Sequence, residues 1–373
     1  VATDGEPTNG EDDVKTYVYP AGLDGCGYYR LIWPARALAS QGHDVTVVLP
    51  DERLHSTLQI TGRQDAQGNL VQVNYPLDAD VIVMQRPTHK NLVNAVRLLR
   101  EAGVTVVVDM DDDLTRIHPR NPAFGAMHPR AIGPHSWVNA TEACHAASFV
   151  TVSTPALLPV YAPHGRHAVL YNMIQAANLT LPRDTSDGTF GWTGTILSHP
   201  DDPFVMGASV QRLVSEGYRF RMIGNPFGIA EALRLKDDQV ICDGVVDSTA
   251  WAAAIARLHV GLAPLADTSF NAAKSWLKPL ELASVGVPTV VSPRSEYRRL
   301  WRNHGIGVLA PKPKDFYREV KRLMDDATWY ADAADQAREA ASQLTVESNA
   351  WRWAEAWTEA RKLDLQARVH AAA

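Results

Sequence analysis

Cysteine is scarce in this chain of 373 residues: only Cys26, Cys144 and Cys242 occur, far apart and with no paired spacing. That pattern supplies neither a disulfide framework nor a zinc set, and it suits a reducing, cytoplasmic setting. Long apolar runs are missing too. No stretch reaches the roughly 18 residues that a membrane span needs. The amino end lacks the basic-then-apolar order of a signal peptide. Residues 1–13 are polar and acidic, and are expected to form a disordered tail. Excess positive charge is absent as well: the formal net charge is −6. This argues against a broad nucleic-acid face or an anionic membrane surface, although it leaves a local basic cleft open. There is no solenoid-length repeat and no low-complexity tract.

What is present is alternation of short β-runs and amphipathic stretches, over a length that suits two domains. A strand is expected at residues 15–20, then a glycine-bearing loop, a helix over 29–41 and a strand over 44–50. Further strands are expected at 81–85, 104–109 and 149–153, with helices over 90–102 and 136–147. The unbroken valine run Val106-Val107-Val108 indicates a strand buried on both faces, as in parallel sheets. Periodicity fades between 172 and 188, where a domain boundary is expected. It resumes with strands at 189–193, 220–223, 240–242, 260–263 and 289–292. The helices between them are expected at 203–216, 229–235, 249–258 and 275–285, with another over 313–326. Helices over 329–344 and 347–365 close the chain. Two doubly wound α/β halves facing a cleft follow from this pattern.

In such sheets ligands lie beyond the carboxyl ends of the strands, so three strand-to-helix loops matter. The first runs from Phe270 through Asn271, Ala273, Lys274, Ser275, Lys278 and Glu281 to Gly286-Val287-Pro288. Ser275 is the expected N-cap, Pro279 is tolerated in the first turn, and Gly286 stops the helix. Lys278 and Glu281, three apart, share a face near the N-terminus. A helix start with two ammonium groups suits a diphosphate, and a carboxylate one turn deeper suits a ribose. On spacing alone a solvated Lys/Glu face reads equally well.

The second loop holds Gly25, Gly27 and Arg30. Glycines allow close backbone approach to a ligand, but a lone G-x-G is weak evidence for a dinucleotide site, and a nicotinamide oxidoreductase rests on nothing else. The third is Asp109-Met110-Asp111-Asp112-Asp113. Clustered carboxylates suit a hard cation, but a turn cap and contacts to ligand hydroxyls are the preferred reading, and no metal or other cofactor is expected. One aspartate is expected to cap the next turn. Asp111 and Asp112 are the candidates to point into the cleft and meet ligand hydroxyls. His118 and His135 fall in loops of the first half and His199 in a loop of the second, where an imidazole can serve as a base. Trp351, Trp353 and Trp357 have helical spacing and are expected to pack on the first domain.

These residues resemble a family. Val260-Gly261-Leu262-Ala263-Pro264-Leu265, Asp267, Phe270-Asn271, Lys274-Ser275, Lys278, Glu281 and Gly286-Val287-Pro288 are similar to the donor-binding core of retaining GT-B glycosyltransferases of the group 1, family 4 type. Gly191-Trp192-Thr193-Gly194 with His199 and Asp201 resembles the opening of their nucleotide-sugar domain. Val150 to Pro155 with Asn172 resembles the end of the acceptor domain. The resemblance implies an acceptor-side domain over 14–178, a nucleotide-sugar domain over 179–345, and a helix over 346–373 crossing back to the first. It implies a sugar nucleotide as co-substrate, Glu281 on the ribose and Lys274 or Lys278 on the diphosphate. Gly25, Gly27, Arg30, Gly194, Thr195, His199, Asn271 and Ser275 complete the implied donor site, with Arg30 a cation at the cleft. One departure stands out: the first glutamate of the family's E-x7-E pattern is Ala273. That change keeps two other readings open, a nucleotide-sugar epimerase of the same fold and a non-catalytic sugar-nucleotide binder. Base, sugar, acceptor and oligomeric state are not specified.

Overall fold

The computed structural model describes residues 14–49, 60–131, 136–183 and 185–372. The expected tail and His135 lie outside the described residues.

Apolar, β-branched runs form two separate parallel sheets. The first contains β1 (Thr16–Tyr19), β2 (Val45–Val47), β5 (Val81–Gln85), β6 (Thr105–Met110), β7 (Phe149–Val152) and β8 (His167–Val169) in the order β2-β1-β5-β6-β7-β8. The short strands β3 (Gly62–Gln64) and β4 (Leu70–Val73) pair with each other, antiparallel. The second sheet contains β9 (Thr189–Thr195), β10 (Arg219–Asn225), β11 (Val240–Cys242), β12 (Val260–Ala263), β13 (Thr289–Val291) and β14 (Val308–Leu309) in the order β11-β10-β9-β12-β13-β14. Registers such as Val18↔Val83 and Leu262↔Trp192 put valine beside valine and leucine beside tryptophan in the sheet centres. The hairpin, β8 and β14 were not expected. β8 and β14 are two- or three-residue edge strands, too short for any periodicity to show.

Each sheet reverses its winding once, between β1 and β5 in the first and between β9 and β12 in the second. Such reversal points open crevices at the carboxyl edge. The two domains meet through an apolar seam in which Tyr29, Leu31 and Trp33 pack with Trp276, Leu280 and Ala283. The last helix, Trp351–Ala372, returns to the first sheet. Trp353 donates from Nε1 to the Arg30 carbonyl at 2.9 Å. Asp364, 3% exposed, takes hydrogen bonds from Thr105 and Ser148. Trp353 and Trp357 are buried as expected, whereas Trp351 is 44% exposed.

Candidate functional site

Both reversal points open on one cavity of about 500 Å³ between the domains. On its second-domain wall, the helix Leu277–Ser284 lies directly on β12, because Gly261 has no side chain: a Cβ there would meet Leu282 at 2.7 Å. The N-cap of this helix is Trp276, with no side-chain cap, which corrects the expectation for Ser275. The Ser275 hydroxyl instead accepts from Asn172 Nδ2 at 3.1 Å. Gly286, at φ +72°, follows the helix end in a left-handed conformation, as its assignment as the stop required.

Glu281 lines the cavity and is 8% exposed. Burial pushes its carboxyl up to about 7, against the opposing effects of the Tyr29 hydroxyl, Lys278 and Trp251. The Tyr29 hydroxyl, from the first domain, donates to Glu281 Oε1 at 2.5 Å. Lys278 sits one turn earlier. Burial pushes its ammonium down to about 8, with Asp202 and Glu281 pulling the other way. Among the described residues no carboxylate lies within ion-pair distance of Lys278; its Nζ stands 5.0 Å from the Trp192 ring centroid. Next to it is Gly194, at φ +108°, where a Cβ would lie 3.6 Å from that Nζ. An unpaired, largely desolvated cation beside a glycine backbone is an arrangement that can hold an anion.

Lys274 differs from Lys278. Its Nζ lies 2.8 Å from Asp112 Oδ1 and 4.6 Å from the Phe270 ring centroid. His199 lines the cavity nearby, with Nδ1 3.3 Å from Asp202 Oδ2 but poorly aligned for a hydrogen bond. Burial holds its imidazole below the usual range although Asp202 opposes this.

The first-domain wall carries Asp24, Gly25 and Cys26 from the loop after β1, and Asp111 and Asp112 from the loop after β6. Asp113 caps the turn that follows, accepting from Thr115 N at 3.0 Å. Asp111 and Asp112 are tied together by Arg86, the residue that follows β5. Its Nε donates to Asp111, and its Nη2 lies 2.9 Å from Asp112 Oδ2. Arg86 adopts φ +48°, a left-handed conformation costly for a non-glycine residue. Burial raises the Asp111 carboxyl, with Arg86 opposing and the charges of Asp112 and Asp109 adding to it. Burial works in the same sense on Asp112, but Lys274 and Arg86 outweigh it and leave that carboxyl below the usual range. Two adjacent carboxylates are thus pushed apart in acidity, the arrangement that separates roles in acid–base sites.

Several expected donor residues lie elsewhere. Arg30 is not at the cleft: its guanidinium is wholly buried, bound twice to Asp109 and also to the Leu170 carbonyl and Asn172. Gly27 is a packing residue, since a Cβ there would strike the Gly22 carbonyl at 1.9 Å. Thr195 caps its own turn, accepting from Leu197 N. Asn271 is buried and braces Asp202 at 2.7 Å. His118, expected on the acceptor side, lines not the cavity but an adjoining crevice of about 40 Å³ that shares Ser198 and His199 with it, and faces Asp201 at 3.3 Å. Ala273 is 3% exposed and packs with Phe270 into the core of the first domain, its carbonyl accepting from Thr154 at 2.9 Å. The position where the resemblance leads one to look for a glutamate is therefore filled by the domain seam. Among the described residues, no group of three or more His, Cys, Asp or Glu side chains is placed to hold a metal ion.

Solved structures show the same architecture. HepE of Anabaena in complex with UDP matches with a TM-score of 0.62 and 17% identity, covering 93% of this chain and 100% of that one. Sucrose-phosphate synthase from Thermosynechococcus elongatus matches at 0.60 and 13%, covering 96% and 99%. AviGT4, a glycosyltransferase involved in avilamycin A biosynthesis, matches at 0.56 and 14%, covering 94% and 98%. The fold is GT-B. No protein-family model and no curated protein matches the sequence.

Within this GT-B frame, the site residues that sequence reasoning missed are Arg86, Tyr29 and Trp251. Arg86 had a usable signal: it follows the expected strand 81–85 and so stands at a carboxyl strand end. Tyr29 was read only as the start of a helix, and its partner is 252 residues away. Among the described residues, no helix is long and apolar enough to cross a membrane.

Proposed function

We propose that the protein is a glycosyltransferase that moves a sugar from a nucleoside-diphosphate sugar to an acceptor hydroxyl, with retention at the anomeric carbon and without a metal ion. The observation that carries this reading is the unpaired Lys278 ammonium beside Gly194, one turn before the buried Glu281 carboxylate. The diphosphate would lie between Lys278, Gly194 and the start of the helix Leu277–Ser284, and the ribose hydroxyls on Glu281. Positive charge held at that place stabilises the nucleotide as it departs. The second domain, over 179–345, would bind the donor, and the first, over 14–178, the acceptor at Asp111 and Asp112. HepE, which shares this fold, has been crystallised with UDP and with UDP-glucose, which makes a uridine nucleotide the first donor to try. Retention follows from the resemblance of the 270–288 segment to retaining enzymes. A cytoplasmic setting is part of this reading, supported by three cysteines that form no disulfide.

The test is incubation with a panel of nucleoside-diphosphate sugars and candidate acceptors, followed by mass spectrometry for the new glycoside and by NMR for its anomeric configuration. Glu281→Ala should cut donor turnover by about 100-fold, the loss of two hydrogen bonds to a charged group. Turnover that survives this change would remove Glu281 from the donor site. Epimerised donor in the absence of any acceptor would replace transfer by the epimerase reading.

A further inference from the structure

The donor-side segment is gripped by the first domain. Thr154 holds the Ala273 carbonyl, Asn172 holds Ser275, and the Trp276 indole returns a hydrogen bond to the Asn172 carbonyl at 2.8 Å. One further contact is different in kind, because it joins two charged groups that both line the cavity: Lys274 of the second domain and Asp112 of the first, 2.8 Å apart.

The two partners are not equally dependent on each other. Asp112 keeps Oδ2 on Arg86 at 2.9 Å, and Arg86 is itself anchored by Asp111. Asp112 would therefore stay in place if Lys274 left. Among the described residues Lys274 has no other anionic partner within ion-pair distance. Its ammonium belongs to the same electrostatic neighbourhood as the unpaired Lys278 and as His199, each of which feels the Lys274 charge. A diphosphate seated beside Lys278 and Gly194 brings more negative charge to this neighbourhood than the single carboxylate of Asp112 supplies.

We propose that donor binding exchanges partners across the cleft: the diphosphate takes the Lys274 ammonium from Asp112, and the Asp112 oxygen so released accepts the hydrogen of the acceptor hydroxyl. Lys274 then serves two anions in turn, and the acceptor's contact on Asp112 forms only once the donor is seated. Arg86 is the positioning residue that keeps the released carboxylate aimed into the cavity. The exchange rests on the donor-site reading given above, and the experiment separates the two.

The probe is a free nucleoside diphosphate, whichever of UDP, GDP, dTDP and ADP the wild-type protein binds, titrated by calorimetry. Asp112→Asn removes the competing charge, so the nucleotide should bind about 5- to 10-fold more tightly than to wild type. Lys274→Met should bind it at least tenfold more weakly. In the Lys274→Met background, adding Asp112→Asn should change nothing, since no exchange is left to favour. Asp112→Ser is the second variant should Asp112→Asn not fold, as judged by its melting curve. Unchanged or weaker binding by a folded Asp112 variant overturns the exchange, as does an Asp112 effect that persists without Lys274. Lys278→Met distinguishes the underlying reading: nucleotide affinity indifferent to Lys278 overturns the donor site itself, whatever Asp112 does.

Discussion

The two walls of the cavity use charge in opposite ways. On the first-domain wall the charges are answered from within: Arg86 joins Asp111 to Asp112, and behind them Arg30 is fully buried on Asp109. On the second-domain side, Lys278 stands next to the lining residue Gly194 with no carboxylate within ion-pair distance among the described residues, and Glu281 takes a hydrogen bond from a hydroxyl of the opposite domain. Internally paired charge rigidifies a wall and costs stability when broken. Unpaired, desolvated charge is a standing electrostatic demand that a ligand can meet. The contrast teaches where to look for binding: at the group whose environment leaves it short of a partner rather than at the densest cluster of charges.

Matched variants can break that comparison. Lys278→Met should lower donor kcat/KM by about 100-fold or more while leaving the melting temperature nearly unchanged, since no internal partner is stranded. Arg30→Met should do the reverse. It leaves Asp109 as an uncompensated buried charge, a change of about 3–5 kcal/mol, and should lower the melting temperature by roughly 10 °C. Calorimetric melts run beside steady-state kinetics decide the matter; a Lys278 variant that melts early and an Arg30 variant that folds normally would erase the distinction between the walls.

A smaller effect is expected in the pH profile. Donor capture needs Glu281 ionised, which is gained as pH rises through about 7, and Lys278 protonated, which is lost as pH rises through about 8. Donor kcat/KM, which reports free-enzyme groups, should therefore follow a narrow bell between those limbs. A profile flat from pH 6 to 9 would show that neither group governs capture. The smallest effect belongs to Tyr29→Phe. Removing the hydroxyl that favours the Glu281 carboxylate should move the acid limb up by about one unit and raise the donor KM a few-fold, with the alkaline limb unmoved. An unshifted acid limb would reduce Tyr29 to a packing residue.

Much of the fold could be read in advance because its signals are local. The strand at 81–85 and the strands β11 and β12 stand where alternation and apolar runs put them, and Lys90–Glu101 is a helix within a residue of expectation. β8 and β14 escaped because edge pairing of two or three residues leaves no pattern. At the site, Glu281, Lys274, His199, Asp111 and Asp112 do line one cavity. Arg30 misled because the same side chain can reach a cleft or turn inward, and nothing local tells which. Its choice is decided by Asp109 and by Leu170 and Asn172, from two other segments. Arg86 went unnoticed because its importance is relational: it matters for the two carboxylates that β6 delivers beside it.

The segment from Lys274 to Gly286 shows the division most clearly. By itself the sequence determined that two lysines and a glutamate would stand near one helix start ended by Gly286, because helical spacing and capping are short-range properties. Only the tertiary structure decided that Lys274 would face Asp112 and Lys278 would face none, and that position 273 would close against Thr154. Only the tertiary structure, too, raised the Glu281 carboxyl to about 7. Desolvation and ion pairing depend on what the other domain brings within a few ångströms, and that is settled by how two sheets pack, not by the order of residues along one helix.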